Sequence, residues 1–172
     1  MDEKSTVELL HDHIASLRRF ALVLTRSRDD AEDLVQETLL RAIAAADAWE
    51  PGTDLRAWLF KIMHNLHLSA LRKRQVRDAA QPTLPGAVAE ASQALRVEAR
   101  QALEALDTLP DNQRQAILMV AVEDMRYADA AQVMGVPLGT FMSRLARGRE
   151  ALRNAMDRTR LPRLRLVGGR TP

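Results

Sequence analysis

The chain has 172 residues, a net charge of +2, 47% hydrophobic residues and no cysteine. This length suits one ordinary domain or two small ones, while the lack of cysteine excludes a disulfide framework or a thiolate metal site and favours a reducing cytoplasm. No apolar run approaches the roughly 18 residues of a membrane span, and the acidic, polar start is unlike a secretory signal.

An all-α fold is predicted, because alanine, leucine and arginine are abundant and β-branched residues seldom cluster. The chain begins with two predicted helices. Ser5 and Glu8 have the spacing of a capping box, and helically spaced apolar residues predict a first helix to about Thr25. The second helix is predicted from about Asp29 to Ala48, with acids in its first turn where the dipole favours them. Its predicted apolar stripe comprises Ala31, Leu34, Val35, Leu39, Ala42 and Ile43. The opposite face is acidic and polar, as in a plain solvated helix or a docking site.

A third helix is predicted from Asp54 to Arg77, after a Pro51-Gly52 turn that favours neither helix continuing. Its charged surface has one sign only, because no Asp or Glu lies between Leu55 and Arg77. A solvated face usually mixes charges, so this pattern favours a phosphate-bearing partner. Arginines that merely complement the negative end of the helix dipole are the alternative. Trp49, at the edge of the preceding loop, either packs between helices two and three or contacts a ligand.

A linker is predicted at residues 77–94, where two prolines and a glycine occur without sustained periodicity. The chain is therefore expected to form two small helical domains joined by a flexible linker. The first domain covers residues 1–76, the second covers residues 95–158, and residues 159–172 form a basic tail.

The second domain is predicted to contain a helix-turn-helix. One helix is expected to end before Leu109 and another to run from about Asp111 to Glu123. A short helix, Tyr127 to Met134, then meets a Gly-Val-Pro turn and an arginine-rich helix from Leu138 to about Met156, which is the layout of that motif. A generic helical hairpin could match the spacing by chance, but the basic second helix disfavours it.

Three segments in this order resemble the extracytoplasmic-function (ECF) group of bacterial RNA polymerase sigma factors. Residues 30–42 resemble the polymerase-binding helix of the family's second region, residues 54–74 the helix that opens and reads the minus-ten element, and residues 109–153 the fourth region. The resemblance covers about residues 10–76 and 96–156. The sequences RRFALVLTRSRDDAEDLVQ and WEPGTDLRAWLF are similar to general-stress ECF factors of alphaproteobacteria.

The resemblance implies three groups of site residues. Contacts with core polymerase are expected from Asp33, Leu34, Gln36, Glu37 and Arg41. Contacts with the minus-ten element are expected from Trp49, Asn65, Ser69, Arg72, Lys73 and Arg74, whereas Trp58 is expected in the core. Contacts with the minus-thirty-five element are expected from Arg114, Arg126, Thr140, Met142, Ser143, Arg144, Arg147 and Arg149. Among these, Ser143 and Arg147 match the family's base-facing positions.

Some positions depart from the family pattern. The family commonly has a serine where Arg126 stands, an aspartate at Ser69, a larger aliphatic residue at Ala130 and a valine at Phe141. Phe141 is expected to fill the space left by Ala130, which would preserve the core volume. These departures mean that promoter sequence does not transfer from the family.

The leading hypothesis is an alternative sigma factor in the cytoplasm, associated with the nucleoid when active. It is expected to bind core RNA polymerase, promoter DNA and an anti-sigma protein, with no enzymatic activity, no cofactor and no membrane insertion. The alternative is a sigma-like mimic that titrates an anti-sigma protein without binding promoters. A stand-alone helix-turn-helix repressor would leave the first 76 residues without a role. The four histidines form no recognisable metal-ligand set.

Overall fold

A computed structural model describes residues 6–50, 52–78 and 93–160, with side chains described for residues 9–50, 52–76 and 99–157. Across these ranges the regular structure is helical, which confirms the predicted all-α fold. The helices are α1 (Thr6–Thr25), α2 (Arg28–Ala44), α3 (Leu55–Asp78), α4 (Gln93–Asp107), α5 (Asp111–Ala121), α6 (Tyr127–Val133) and α7 (Leu138–Arg160), with a short 3-10 helix at Ala46–Ala48. No helix in the described part of the chain is long and apolar enough to cross a membrane.

Helices α1 to α3 form the first domain, and α4 to α7 form the second. Most of the predicted linker and basic tail, residues 79–92 and 161–172, lies outside the described residues, as does Ser5 of the predicted capping box.

The first domain closes around an apolar core between its three helices. Phe20 of α1 and Phe60 of α3 are both buried and meet edge to face, with ring centroids 5.1 Å apart. Such an aromatic pair adds about 1 kcal/mol beyond the apolar area that it buries. Ser27 caps α2, since its hydroxyl oxygen accepts a hydrogen bond from the Asp30 amide at 3.2 Å. The chain therefore turns sharply from α1 into α2.

Helix α2 differs from its prediction in two ways. It ends at Ala44 rather than Ala48, because the chain continues as the 3-10 helix. Ile43 is 52% exposed, and Thr38 is buried in the stripe instead. A buried threonine is tolerated there because its hydroxyl donates to the Leu34 carbonyl oxygen at 2.7 Å.

The second domain holds the predicted helix-turn-helix, formed by α6 and α7. Gly135 has a φ of 62° in the turn between them, a left-handed conformation that favours glycine. Phe141 and Ala130 are both fully buried in the core, and the expectation that Phe141 fills the space left by Ala130 stays a prediction. Gly148 allows α7 to approach α5 closely, because a Cβ atom there would lie 3.2 Å from the Gln113 carbonyl oxygen.

Candidate polymerase and nucleic-acid interface

A cavity of about 860 Å³ opens between α2 and α3. The side chains on the α2 wall are Asp30, Asp33, Leu34, Glu37 and Arg41. The side chains on the α3 wall include Asn65, Ser69, Lys73 and Arg74, above an apolar floor of Trp58, Ile62 and Leu66. The structure thus brings four predicted polymerase contacts and four predicted minus-ten contacts into one cavity. Trp58 packs partly against the core, as predicted, and also lines this cavity.

The α2 wall presents both charge and apolar surface to solvent. Glu37 accepts a hydrogen bond from Arg41 one turn later at 2.7 Å, and both side chains are exposed. Asp33 is exposed and has no ion-pair partner among the described side chains. Leu40 is 63% exposed and extends the same helix surface with an apolar side chain. Gln36 is exposed but lies outside the cavity. A mixture of acidic and apolar groups suits a protein partner better than a nucleic acid.

The α3 wall presents an amide and cations. Asn65 is exposed, so its amide can both donate to and accept from a base edge. The Ser69 hydroxyl donates to the Asn65 carbonyl oxygen at 2.9 Å, which leaves its oxygen able to accept. Arg74 donates to Asp30 across the cavity at 2.8 Å, whereas Arg72 and Lys73 are exposed. These cations can hold the phosphates of a separated strand.

Trp49 packs partly against the core, which agrees with the packing interpretation of its role. Its indole nitrogen is buried and has no hydrogen-bond partner among the described residues. In the loop that follows, Asp54 caps α3 by accepting from the Ala57 amide at 3.1 Å. Trp49 therefore lies outside the residues that line the cavity, with one buried polar atom unpaired.

Helix α7 exposes side chains on more than one face, with Met142 and Arg149 on one side and Arg147 on the side of Ser143. Met142 is 48% exposed, and Arg147 and Arg149 are exposed on the same helix. Ser143 is half-buried, and its hydroxyl donates to the Thr140 carbonyl oxygen at 2.9 Å. The Arg149 guanidinium donates to the Tyr127 hydroxyl at 3.3 Å, which fixes α7 against α6. Thr140 and Arg144 are half-buried on the same side of α7 as Arg147.

Two other predicted phosphate contacts are already paired with carboxylates. Arg126 is exposed and donates to Asp129 at 2.7 Å, and that hydrogen bond raises its pKa. The Arg114 side chain is only 14% exposed and donates to Asp111 at 2.8 Å. Arg114 is therefore not on an open surface in this arrangement, and a phosphate contact there would require it to leave Asp111.

Polar side chains form an interface between the two domains that was not predicted from the sequence. The Glu123 side chain is fully buried at the end of α5, within reach of arginines from α1 and α3. His64 and His67 of α3 face Gln115 and Asp111 of α5. No sequence signal distinguishes Glu123 from a solvated acid at a helix end. His64 and His67 were considered only with His11 and His13 as possible metal ligands, and the described residues hold no group of three or more side chains that could bind a metal ion.

The two domains match known family models separately. Residues 10–64 match the Sigma2 domain of PhyR, and residues 99–152 match region 4 of Sigma-70. The ECF RNA polymerase sigma factor EcfG of Rhodopseudomonas palustris is 43% identical over 141 residues, which cover 81% of this chain and 78% of that protein.

Solved structures match across both domains. The sigma factor RpoE of Bartonella quintana, in complex with the anti-sigma factor NepR, is 35% identical, with a TM-score of 0.79 over 88% of this chain and 96% of that chain. CnrH, in complex with the cytosolic domain of CnrY, is 25% identical, with a TM-score of 0.69 over 91% of this chain and 90% of that chain. This chain therefore belongs to the ECF group of bacterial RNA polymerase sigma factors, and its similarities are consistent with the general-stress type.

Proposed function

We propose that α2 fastens this sigma factor to core RNA polymerase while α3 and α7 read the two promoter elements. The observation that carries this proposal is the cavity between α2 and α3, which has acids on one wall and an amide and cations on the other. A single surface can thus face a protein on one side and an unpaired DNA strand on the other. As in other ECF factors, promoter-specific initiation then results from delivering the polymerase to the promoter.

At the polymerase side, the proposed contacts on the cavity wall are Asp33, Leu34, Glu37 and Arg41, with Gln36 beside them. Asp33 has no intramolecular partner among the described side chains, so its charge can pair with a cation of the polymerase without first breaking an ion pair. Glu37 shares its charge with Arg41, and both remain exposed. Electrostatic complementarity of this kind mainly determines the rate and specificity of docking.

At the minus-ten element, α3 is proposed to stabilise a separated strand. Extruding one base costs a few kcal/mol of stacking and pairing. The Asn65 amide can hydrogen-bond to the edge of that base, and Arg72, Lys73 and Arg74 can bind the flanking phosphates. Trp49 is proposed to line the base site, where its buried indole N–H would gain an acceptor. Together these contacts offset the cost of opening the duplex.

At the minus-thirty-five element, α7 is proposed to enter the major groove. Arg147 is exposed, and a bidentate arginine–guanine contact gives about 1–3 kcal/mol of discrimination against other bases. Met142 can touch thymine methyl groups, and Ser143 lies one turn before Arg147. Thr140, Arg144, Arg149 and Arg126 are proposed to contact phosphates around that groove.

The same proposal includes regulation by an anti-sigma protein. It also includes a cytoplasmic location, with association with the nucleoid when the protein is active. Their support is membership of a family in which RpoE was solved with the anti-sigma factor NepR and CnrH with the cytosolic domain of CnrY. Nothing in the described residues indicates a catalytic activity, and the family acts by binding rather than by chemistry.

A sigma-like mimic is the second candidate, because the first domain matches the Sigma2 domain of PhyR. The second domain argues against it, since it matches region 4 of Sigma-70 and exposes Arg147 on the second helix of its helix-turn-helix. A protein that only titrates an anti-sigma factor has no need of a groove-reading face.

Run-off transcription with purified core polymerase on a genomic library tests the proposal. Transcripts that start at defined positions only when this chain is added are the expected result. If the chain binds an anti-sigma protein but yields no promoter-specific transcript, the mimic is correct and the proposed function is wrong.

A further inference from the structure

The two domains are joined by polar contacts that the sigma-factor function does not use. Glu123 accepts hydrogen bonds from Arg19 of α1 at 3.1 Å and from Arg56 of α3 at 2.9 Å. Arg56 also donates to the Glu123 backbone carbonyl oxygen and lies over the Phe60 ring, 5.7 Å from its centroid. A single acid of the second domain is thus held by two helices of the first.

Two more contacts extend this interface along α3. His64 Nδ1 lies 2.6 Å from Gln115 Oε1, and His67 Nε2 lies 3.0 Å from Asp111 Oδ1. Arg56, Phe60, His64 and His67 follow one another at spacings of four and three residues, so they share one face of α3. Asn65 points to a different face and stays exposed. One face of α3 therefore packs on the second domain while another remains available for DNA.

Because the Glu123 carboxylate is buried, the closed arrangement depends on its two arginine partners. A fully buried carboxylate is costly unless it is paired, so removing its cations leaves an uncompensated charge within the interface. The arginines themselves are partly exposed, at 55% for the Arg19 side chain and 31% for Arg56. They can return to water when the domains separate, and Glu123 then becomes solvated too. The contacts of Glu123 with Arg19 and Arg56 thus favour the closed arrangement, but the domains can still separate.

This closed arrangement is too small to read both promoter elements, a step that depends on the proposed function. A compact chain of this length has a radius of gyration of about 16 Å and hence a diameter of about 40 Å. The minus-ten and minus-thirty-five elements are centred about 25 base pairs apart, or about 85 Å along the helix axis at 3.4 Å per pair. The domains must separate before α3 and α7 can occupy both elements together.

We propose that Arg19, Arg56 and Glu123 form an intramolecular latch that holds the sigma factor closed, and that releasing this latch is required for simultaneous reading of both promoter elements. Arg19, Arg56 and Glu123 all belong to one chain, so these contacts need no partner protein to form. The match to Bartonella quintana RpoE, solved in complex with NepR, extends over 88% of the chain and so over both domains, which indicates that the domains of that complexed factor are placed similarly.

The distance between the domains tests the latch directly. The chain has no cysteine, so spin labels can be attached after Ala44→Cys and Asn154→Cys, at exposed positions on α2 and α7. A single short distance is expected for the otherwise unchanged protein, whereas Arg19→Gln and Arg56→Gln should add a longer and broader population. The closed-to-open ratio should fall about threefold for Arg19→Gln and about tenfold for Arg56→Gln, which loses the less exposed cation.

Arg18→Gln is the matched control, since Arg18 precedes Arg19 on α1 but pairs with Glu32 of its own domain at 3.1 Å. Its distance distribution should equal that of the parent protein. Glu123→Gln should open the protein as well, and circular dichroism shows whether it remains folded. Distances in Arg19→Gln and Arg56→Gln that match Arg18→Gln would overturn the latch, as would a parent protein that is already open.

A second measurement links the latch to promoter reading. Reconstituted holoenzyme carrying Arg56→Gln should bind a promoter fragment with both elements about tenfold more tightly, with unchanged affinity for a fragment holding only the upstream element. Equal affinities of the variant and parent holoenzymes for the two-element fragment would contradict the required release. If no variant or parent holoenzyme binds any promoter, the proposed function fails, whereas the distance measurement still decides on the latch.

Discussion

Asp33 of α2 and Asn65 of α3 line the same cavity, one from each helix. Their chemistry differs, since a carboxylate accepts only, whereas an amide both donates and accepts. The cavity therefore carries residues proposed for polymerase binding and residues proposed for DNA opening. Because the two side chains belong to different helices, their contributions can be separated by mutation.

The double substitution Asp33→Ala and Glu37→Ala should impair binding to core polymerase first. Removing two exposed interface charges is expected to weaken the affinity by about ten- to hundredfold, with a larger effect at low salt. Fluorescence anisotropy of labelled sigma factor with core polymerase measures this. The control is Asp12→Ala with Asp47→Ala, which removes two exposed acids outside the cavity. Similar losses in both double variants would show that net charge, rather than the α2 wall, determines binding.

Asn65→Ala should slow promoter opening while leaving core binding unchanged. Losing one amide contact to an extruded base is expected to cost about 1–2 kcal/mol, or a five- to thirtyfold reduction in the opening equilibrium. A 2-aminopurine probe in the minus-ten element reports the opening. Gln75→Ala is a suitable control, since Gln75 is an exposed amide on the same helix outside the cavity. Normal opening by Asn65→Ala would remove this residue from the proposed base site.

Arg147→Ala should weaken selectivity for the upstream element by about 1–3 kcal/mol and leave core binding intact. The loss should be concentrated at one base position, because a bidentate contact reads a single guanine. Competition between promoter fragments substituted base by base measures this. Arg153→Ala, at an exposed arginine farther along α7, should cause a smaller and sequence-independent loss. Equal loss of core binding and selectivity in Arg147→Ala would mean that the residue's role is misassigned.

The turn after α5 offers a test of stability. Asp124 has a φ of 49°, a left-handed conformation that costs most residues about 1 kcal/mol, although aspartate tolerates it better than most. Asp124→Gly should therefore raise the free energy of unfolding by about 0.5 kcal/mol, and Asp124→Val should lower it by about 1–2 kcal/mol. Urea denaturation followed by circular dichroism measures both. Destabilisation by glycine would show that the aspartate side chain outweighs its backbone strain.

The helices and their order could be predicted because each carries a local signal. The spacing of Leu55, Leu59 and Ile62 predicts α3, and the glycine turn before Pro137 predicts the helix-turn-helix. The end of α2 could not be predicted, since alanines continue past Ala44 and nothing local forces the change to a 3-10 helix. Burial of Thr38 rather than Ile43 also depends on how α2 rotates against its neighbours.

The candidate site was predictable only in part, for a similar reason. Asp33 and Asn65 are identified through family motifs, because each motif lies within one helix. The latch joins Arg19, Arg56 and Glu123 across more than a hundred residues of sequence. In the sequence, each of these residues resembles an ordinary surface charge, because their contacts form only when the domains pack together. No local pattern therefore predicts the latch.

Acidification should lower the stability of the folded protein through His64, which is buried against Gln115 of α5. Burial lowers the pKa of His64, and the nearby His67 and Arg144 lower it further, although Gln115 and Asp111 act in the opposite direction. The imidazole therefore stays neutral in the folded protein at a pH where the unfolded chain, with a histidine pKa of about 6.5, takes up a proton. Its stability contribution is present above about pH 6.5 and is lost as the pH falls below it, by up to about 1.4 kcal/mol per pH unit.

Asp111 does not contribute to the pH dependence of stability between pH 8 and pH 5.5. Burial raises its pKa, but hydrogen bonds from His67, Arg114 and Gln115 outweigh burial and lower the pKa to about 2, so the carboxylate stays ionised. Thermal unfolding between pH 8 and pH 5.5 should accordingly show a fall in Tm that His64→Gln reduces. His11→Gln, at an exposed histidine of α1, should retain the full fall. If His64→Gln and His11→Gln follow the same pH profile, the acid sensitivity of this interface originates elsewhere.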